Sequence, residues 1–280
     1  MYLIHTIDEL QKALQSYRLN KQIGFVPTMG ALHAGHISLV ETSVKENEAT
    51  VVSIYVNPTQ FNDKNDLARY PRVLDRDLEL LKPTGCQFVF APSDQEMYPV
   101  PDTRQFNFGI LEQVMEGQHR PGHFNGVGQV VSKLFDAVMP NKAYFGLKDF
   151  QQLAIIKKLV SDLAYPIEII PCPIVREADG LAMSSRNALL LPAMRNSAPL
   201  IYQSLCKLKE GIHSRSVTEL KSLTAQFLAK DSNLRLEYIE IVDNNSLQPV
   251  EKILPEKPIT ACIAVHAGNV RLIDNIQINS

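Results

Sequence analysis

The strongest constraint on the fold is an alternation of strand-like and helix-like segments over the first 175 or so residues. Short β-branched runs end in turn residues and are followed by longer stretches with a helical spacing of apolar side chains. Strands separated by helices of this length are typical of a mainly parallel sheet with helices on both faces. The sequence therefore predicts an α/β fold, whose ligands bind beyond the carboxyl ends of the strands.

The individual segments follow from local composition. Strands are predicted at 22–27, 49–56, 86–90, 142–145 and 167–175, and helices at 35–47, 72–82, 125–138 and 149–163. From residue 176 the pattern changes to helices at 191–211 and 217–228, followed by strands at 236–243, 260–266 and 269–276. We therefore predict two domains, the parallel-sheet domain at 1–175 and a smaller α+β domain at 176–280.

Composition excludes several classes of function. The formal net charge is −2, which gives no basis for broad electrostatic binding of nucleic acid or of an anionic membrane. No apolar stretch is long enough to cross a bilayer, and Asp8 and Glu9 stand where an export signal would carry its apolar core. Four widely separated cysteines are expected to be reduced and mostly buried: Cys86, Cys172, Cys206 and Cys262. A cytoplasmic protein without nucleic-acid or membrane partners is predicted.

A pair of histidines marks the most informative turn. His33-Ala34-Gly35-His36 lies between a predicted strand and a predicted helix. A helix N-terminus offers backbone N–H groups and a positive dipole end, which suit a phosphate, and glycines at 30 and 35 let the backbone approach it closely. Two imidazoles in one turn can hydrogen-bond the oxygens of a reacting phosphate. The pattern indicates a phosphate site.

Two other interpretations of the histidines remain open from the residues alone. His33 and His36 are three residues apart and could ligate zinc, with His119 or His123 as a third ligand. However, the sequence has no HExxH or paired Cys/His pattern that would support a zinc site. The second alternative is a purely structural role in the turn.

Further motifs follow the histidines in a fixed order. Residues 27–36 read PTMGALHAGH, followed by YVNPTQF at 55–61, YPR at 70–72, EGQHRPGHFNGV at 116–127, FGLKDFQQ at 145–152 and MSSRN at 183–187. This set resembles the pantothenate synthetase family through most of the chain, within the wider Rossmann-like, nucleotidyltransferase-type folds that use HxGH. Another nucleotidyltransferase, transferring AMP or CMP to a different acceptor, would share HxGH but not the NPTQF or KDxQQ block.

The resemblance implies an ATP-dependent ligase that condenses pantoate with β-alanine. It implies attack of the pantoate carboxylate on ATP, giving pantoyl adenylate and pyrophosphate, and then displacement of AMP by β-alanine. Such a reaction needs no covalent nucleophile, so catalysis rests on positioning and charge stabilisation. The family also implies Mg²⁺ carried with ATP, no tightly bound organic cofactor, and a homodimer. A non-catalytic nucleotide sensor would be expected to have lost the phosphate-binding side chains, which this chain retains.

The resemblance assigns residues as well. The catalytic candidates that it implies are His36, His33, Lys148 and Arg186. The ATP-binding candidates are Met29, Gly30, Ala31, Leu32, His33, Ala34, Gly35, His36, Gly146, Leu147, Lys148, Asp149, Val175, Met183, Ser184, Ser185 and Arg186. Asp149 is a candidate for helix capping or for contact with magnesium or ribose, and Arg186 for meeting pyrophosphate as the C-terminal domain closes as a lid. Leu147 stands where the family commonly has Glu, so any role of that side chain is lost.

The acceptor side is implied in the same way. Gln60 and Gln152 resemble the pair that grips the hydroxyls and carboxylate of pantoate, since an amide both donates and accepts. Asn57 and Tyr70 are expected to line the same pocket. Arg120 fits pocket lining and a solvated loop equally, whereas His119 favours the loop. The Gly126-Val127-Gly128 fragment lacks the third glycine of a dinucleotide fingerprint and predicts close helix packing.

Overall fold

A computed structural model of the chain describes residues 1–19, 21–62 and 64–279. The chain forms two compact units. The first comprises Met1–Phe108, Arg120–Leu147 and Gln152–Pro173, and the second comprises Gly109–His119, Lys148–Gln151 and the chain from Ile174 onward. The sequence predicted a division at residue 175; the structure assigns two earlier segments to the second unit as well.

The first unit is built on a six-stranded parallel sheet. Its strands are β1 (Tyr2–Ile4), β2 (Ile23–Thr28), β3 (Ala49–Ile54), β4 (Phe88–Phe90), β5 (Lys142–Gly146) and β6 (Glu168–Cys172). Their order is β1-β4-β3-β2-β5-β6. The chain builds outward from β2 through β3 to β4, then returns to the other side of β2 with β5. The topological switch point, where open α/β sheets bind ligands, therefore lies between β2 and β5.

Helices cover both faces of this sheet, as predicted. They are α1 (Ile7–Arg18), α2 (Ala34–Glu46), α3 (Lys64–Arg69), α4 (Leu74–Leu81), α5 (Asp94–Met97), α7 (His123–Val138) and α8 (Phe150–Asp162), with α6 (Met115–His119) in the second unit. Successive residues of a strand point to opposite faces. Phe25 of β2 meets the Phe135 ring of α7, whereas Val26 belongs to the cluster formed with α2. Gly24 lets α2 approach β2, since a Cβ there would lie 2.2 Å from the Ser43 hydroxyl.

The second unit carries an antiparallel sheet of three strands, β7 (Leu234–Asp243), β8 (Ile259–Ala267) and β9 (Val270–Asn279). The helices α9 (Pro192–Ser197), α10 (Leu200–Glu210) and α11 (Val217–Leu228) precede the sheet in sequence. Leucine and isoleucine side chains of α10 and α11 join those of β7 and β8 in one buried core. The predicted α+β character of this region is confirmed.

Several predicted elements need correction. The helix predicted at 191–211 is two helices, because Pro199 has no N–H to donate to the helical hydrogen bonds. The strand predicted at 167–175 ends at Cys172, directly before Pro173. β1 and α1 were not predicted; Asp8 and Glu9, which argued against an export signal, lie in the first turn of α1, where carboxylates favour the helix dipole.

No helix in the described part of the chain combines the length and apolar character needed to cross a bilayer. Cys86, Cys172 and Cys262 are buried, as predicted for small apolar residues, while Cys206 is half-buried.

Candidate active site

The predicted nucleotide segments begin at the switch point of the sheet. Met29 directly follows β2, and the histidine turn leads into α2. Gly146 ends β5, which pairs in parallel with β2 through Gly24 and Phe25. Because parallel strands bring their carboxyl ends to one edge, the two segments leave the sheet side by side. The topology thus puts them where an α/β fold binds a ligand.

A strained turn connects β2 to the histidines. Gly30 has φ +78° and Ala31 has φ +50°, both in the left-handed region. The Gly30 N–H donates to the Thr28 hydroxyl over 3.1 Å. The Asp77 carboxylate of α4 accepts from the Ala31 N–H at 2.9 Å and from the Leu32 N–H at 2.7 Å. These bonds hold a conformation that most residues disfavour.

Asp77 is a site-shaping residue that sequence reasoning missed. It is 1% exposed, although its neighbours Asp75 and Arg76 are exposed and the DRD triplet is typical of a solvated helix start. Burial raises the pKa of the Asp77 carboxyl, and the two backbone N–H groups oppose that rise. A side chain at Gly30 would clash, since a Cβ would lie 2.9 Å from the Asp77 carboxylate. The sequence held no local sign of this contact.

The two histidines cap α2 in a reciprocal arrangement. His33 is the N-cap in an extended conformation, and its Nδ1 accepts from the Gly35 N–H at 3.2 Å. The Nδ1 of His36 accepts from the His33 N–H at 3.4 Å. Their ring centroids are 4.0 Å apart. Since Nδ1 accepts in both rings, each neutral imidazole carries its proton on Nε2 and can donate from that atom.

The backbone of this turn differs from the expectation. Sequence analysis predicted free N–H groups for a phosphate, but the structure engages most of them within the turn. The engaged N–H groups are those of Gly30, Ala31, Leu32, His33, Gly35 and His36. Most of the backbone N–H groups of this turn therefore stabilise the turn itself.

A cavity of about 380 Å³ opens beside the turn within the first unit. Met29 and Gly30 line it together with Tyr55, which follows β3, Asp94, which lies beyond β4, and Arg72, which precedes α4. It therefore lies at the carboxyl edge of three neighbouring strands, and its volume is sufficient for a small ligand. Its lining includes neither histidine of the turn, nor Gln60 or Asn57.

Asn57 and Gln60, predicted for the acceptor pocket, form one hydrogen-bonded group. Asn57 caps a 3₁₀ turn, Pro58–Gln60, and donates to the Gln60 side-chain oxygen and to the Gly126 carbonyl, each at 3.2 Å. It accepts from the Tyr98 hydroxyl at 2.8 Å. Gln60 then donates to the Met29 sulfur at 3.1 Å. The pair is thus connected to the first residue of the nucleotide segment.

The loop before α7 also bonds to Gln60. The Gln60 carbonyl accepts from Nδ1 of His123 at 2.9 Å, and Arg120 donates to Nε2 of the same ring at 3.1 Å. His123 is 6% exposed and in its neutral form carries its proton on Nδ1, the opposite tautomer to His33 and His36. Arg120 is therefore partly buried against Gln60 rather than solvated, and His123 orders the backbone under the glutamine.

Helix packing brings α7 close to this turn. A Cβ at Gly126 would lie 2.5 Å from the Thr59 carbonyl, and one at Gly128 would lie 2.8 Å from the Phe106 ring. The prediction that these glycines serve close packing is confirmed.

Gln152 and Tyr70 complete the predicted acceptor residues. Gln152 is half-buried in the first turn of α8. Its neighbour Gln151 is 3% exposed and bonds to the backbone at 111–116. Tyr70 is 7% exposed and meets the Phe61 ring edge-on. Of the two adjacent glutamines, the structure thus uses Gln151 as a brace and leaves Gln152 as the substrate-binding candidate.

Apart from Leu147, which ends a segment of the first unit, the remaining nucleotide candidates belong to the second unit. Lys148 lies in a 3₁₀ turn, Leu147–Asp149, with its side chain 20% exposed and its ammonium 3.9 Å from the Asp149 carboxylate. Asp149 directly precedes α8, at the predicted cap position, and its side chain is 47% exposed. Such an exposed carboxylate suits magnesium brought with ATP. The Lys148 carbonyl accepts from the Asn275 side chain of β9 at 3.0 Å.

The MSSR motif follows a tight antiparallel hairpin. The Met183 N–H donates to the Val175 carbonyl at 3.0 Å, and residues 176 and 182 form a bridge. Ser184 then caps a 3₁₀ turn, Ser185–Leu189, by accepting from the Arg186 N–H at 3.2 Å. Because a carbonyl has two lone pairs, Val175 can still accept from an adenine amino group. The hairpin brings two predicted nucleotide contacts together.

The metal alternative finds no ligand cluster. Among the residues that the structure describes, no three His, Cys, Asp or Glu side chains are grouped to hold a metal ion. His119 ends α6 and stacks on the Tyr238 ring, with centroids 5.3 Å apart. His123 is engaged by Gln60 and Arg120. Neither proposed third ligand is placed for zinc.

Known proteins of one family match this chain over nearly its whole length. The family model for pantoate-beta-alanine ligase matches residues 2–277. A pantothenate synthetase from Bacteroides thetaiotaomicron is 56% identical over 278 residues, 99% of each protein. The crystal structure of the pantothenate synthetase from Thermus thermophilus has a TM-score of 0.93 at 41% identity and covers 100% of both chains. A pantoate-beta-alanine ligase from Francisella tularensis, complexed with beta-gamma ATP and beta-alanine, has a TM-score of 0.84 at 35% identity and covers 99% of this chain and 98% of its own.

Proposed function

The chain belongs to the pantoate-beta-alanine ligase family, and on that premise we propose that it forms pantothenate in two steps through a pantoyl-adenylate intermediate. In the first step a carboxylate oxygen of pantoate attacks the α-phosphorus of ATP, and the bond to the β-phosphate oxygen breaks. Pyrophosphate leaves with the electron pair. In the second step the amine of β-alanine attacks the acyl carbon, AMP leaves, and the amine loses a proton.

The observation that carries this proposal is the pair of histidines after β2, in which the Nδ1 atom of each ring accepts from a backbone N–H group. The α-phosphate passes through a five-coordinate arrangement with increased charge on its oxygens, so fixed donors aimed at those oxygens lower the barrier. His33 and His36 have Nδ1 engaged and Nε2 as the donor. Preorganised rings need no reorientation during the reaction. His36 is the ring that we assign to the reacting phosphate.

The other nucleotide roles follow from side-chain chemistry. Lys148 and Arg186 supply positive charge to the phosphates of ATP and to the departing pyrophosphate, and Ser184 and Ser185 donate from their hydroxyls. Val175 contacts adenine through its backbone. Magnesium accompanies ATP and offsets part of the phosphate charge, and Asp149 is the carboxylate that we assign to it or to the ribose.

The acceptor roles rest on the amide group. The Gln60 side-chain amide is held by Asn57 and by the sulfur of Met29, and His123 holds the backbone carbonyl of the same residue. A fixed amide presents both a donor and an acceptor to a hydroxy acid. Gln152 provides the second amide of the proposed acceptor pocket, and Tyr70 lines that acceptor pocket. We also propose that the enzyme is a homodimer. We further propose that it is located in the cytoplasm, a reducing compartment that is compatible with the expected reduced cysteines.

Exchange of labelled pyrophosphate into ATP, without β-alanine, tests the two-step pathway. Exchange should require pantoate, because only the reversible formation of pantoyl adenylate returns pyrophosphate to ATP. Exchange that proceeds equally without pantoate would point to another nucleotidyl acceptor. An absence of exchange with pantoate present, in enzyme that still makes pantothenate, would rule out a freely reversible adenylate.

Gln152→Ala tests the acceptor assignment. A lost hydrogen bond to a charged or hydroxylated ligand should weaken pantoate binding by about tenfold to a hundredfold, with little change in the affinity for ATP. Isothermal titration with pantoate measures the effect, and titration with ATP measures its selectivity. Gln203→Ala, at an exposed glutamine of α10, is the matched control. Unchanged pantoate affinity in the Gln152 variant would refute its assignment.

A further inference from the structure

Two adjacent residues of β9 contact both of the nucleotide segments in the second unit. The Asn275 side-chain amide donates to the Lys148 carbonyl at 3.0 Å, across 127 positions of sequence. Asp274 forms a two-pronged ion pair with Arg176, at 2.7 and 3.0 Å. Arg176 opens the hairpin whose far end is Met183. Strand β9 thus connects the lysine turn to the hairpin of the MSSR motif.

The contacts are buried and mutually supporting. Asp274 is 5% exposed and Asn275 is 3% exposed. The Asn275 N–H donates to the Asp274 carboxylate at 2.8 Å, and the Asn275 carbonyl accepts from Arg176 at 3.2 Å. The Arg176 guanidinium also lies 3.6 Å from the centroid of the Tyr202 ring and donates to the Gly180 carbonyl within the hairpin. Such a connected polar network fixes one geometry, because each buried group needs its partner.

The charge of Lys148 also acts on this network. Burial raises the pKa of the Asp274 carboxyl, and Arg176 and Lys148 are the positive side chains that oppose the rise. The lysine ammonium therefore lies within electrostatic range of the buried carboxylate, while its backbone is bonded to Asn275. Backbone and side chain of Lys148 are both influenced by one short stretch of β9.

From these contacts we infer that Asn275 and Asp274 are positioning residues for ATP binding. Asn275 holds the backbone of Lys148, and Asp274, through Arg176, holds the hairpin that presents Met183–Arg186. This inference rests on the proposed role of Lys148 at the ATP phosphates. Neither residue needs to touch the substrate. Their effect is transmitted through Lys148 and the hairpin, which they keep in a fixed relation to each other.

A double-mutant cycle separates this role from a general contribution to folding. The dissociation constant of a β,γ-methylene ATP analogue with magnesium is measured for wild type, Asn275→Ala, Lys148→Ala and the double variant. Asn275→Ala should bind the analogue about tenfold more weakly. In the Lys148→Ala background the same substitution should change binding less than about twofold, because the group that it positions is already gone.

The controls keep the outcomes distinct. Gln277→Ala replaces a half-buried amide two positions along β9 and should bind the analogue as wild type does. Asn275→Ala is preferred to a change at Asp274 because it leaves the ion pair with Arg176 in place. Thermal unfolding confirms that each variant is folded under the titration conditions.

Two results would overturn the inference. Wild-type affinity in Asn275→Ala would show that the Lys148 backbone needs no such brace. An equal loss with and without the Lys148 side chain would show a general structural role. If Lys148→Ala alone binds the analogue and forms adenylate as wild type does, the proposed function of Lys148 fails first, and the inference about Asn275 fails with it.

Discussion

His36→Ala is expected to slow pantoyl-adenylate formation by about 10²–10³-fold while the enzyme stays folded. Removing one preorganised donor to a developing charge costs about 3–4 kcal/mol of transition-state stabilisation. The structural contribution of the ring is smaller, since the bond from the His33 N–H to the Nδ1 of His36 is 3.4 Å long and a helix cap is worth about 1 kcal/mol. Single-turnover rates with excess enzyme measure the chemical step directly.

The exposed His213 provides the control for this result. His213→Ala should keep the wild-type rate, and ATP binding in His36→Ala should weaken far less than the rate falls, since the interaction strengthens in the transition state. A single-turnover rate within about threefold of wild type would remove His36 from the mechanism. If the rate fell because the variant unfolds, the free energy of unfolding would decrease by well over the contribution of the helix cap, which is about 1 kcal/mol.

Local patterns predicted most of the fold. The helix predicted at 217–228 coincides with α11, and the strand predicted at 142–145 differs from β5 by one residue. Leucine spacing and β-branched runs carry this information within a short window, so no distant contact is needed to read it. The break at Pro199 followed an equally local rule, which the regular apolar spacing of the flanking helices obscured.

The contacts that shape the site could not be predicted in this way. Asp77 accepts from N–H groups 45 and 46 positions away, and its DRD setting is typical of an exposed helix start. Lys148 belongs to the second unit and its carbonyl accepts from Asn275, 127 positions later. One signal was present, because Asp274 and Asn275 interrupt the apolar alternation of the last strand. Polar residues at core-facing strand positions indicate buried partners, although sequence does not say which.

A second long-range contact ties the segment 109–119 to the sheet of the second unit. Arg271 of β9 donates to both carboxylate oxygens of Glu116, at 2.7 and 2.8 Å, and its Nε donates to Glu237 at 2.9 Å. Tyr238 donates to Glu116 and His266 contacts Glu237. The Glu116, Glu237 and Arg271 side chains are 10%, 18% and 22% exposed. One guanidinium thus forms ion pairs with two largely buried carboxylates.

Arg271→Met is therefore expected to destabilise the second unit by about 3 kcal/mol. Removing one partner of a buried ion pair costs about 3–5 kcal/mol, because the remaining charge stays desolvated, and the partial exposure here favours the lower end. The chain has no tryptophan, so urea unfolding is followed by far-UV circular dichroism and by amide hydrogen exchange in β7–β9. Arg235→Met removes the same charge from an exposed site on β7. An equal loss in both variants would contradict the prediction.

The pH dependence of this loss identifies its cause. Burial raises the pKa of Glu237, but hydrogen bonds from Arg271 and His266 outweigh it and hold the pKa below its ordinary value. A carboxyl with a lowered pKa stabilises the fold above its unfolded pKa of about 4.3, and that stabilisation is lost as the pH falls through the folded value. Without Arg271 the largest effect that opposes burial is gone, so the pKa of Glu237 in the folded variant rises and less stabilisation is lost as the pH falls. The gap between wild type and Arg271→Met should therefore narrow as the pH is lowered from about 7 to about 4. A constant gap over that range would mean that lost packing, rather than the loss of the positive charge beside the two carboxylates, causes the destabilisation.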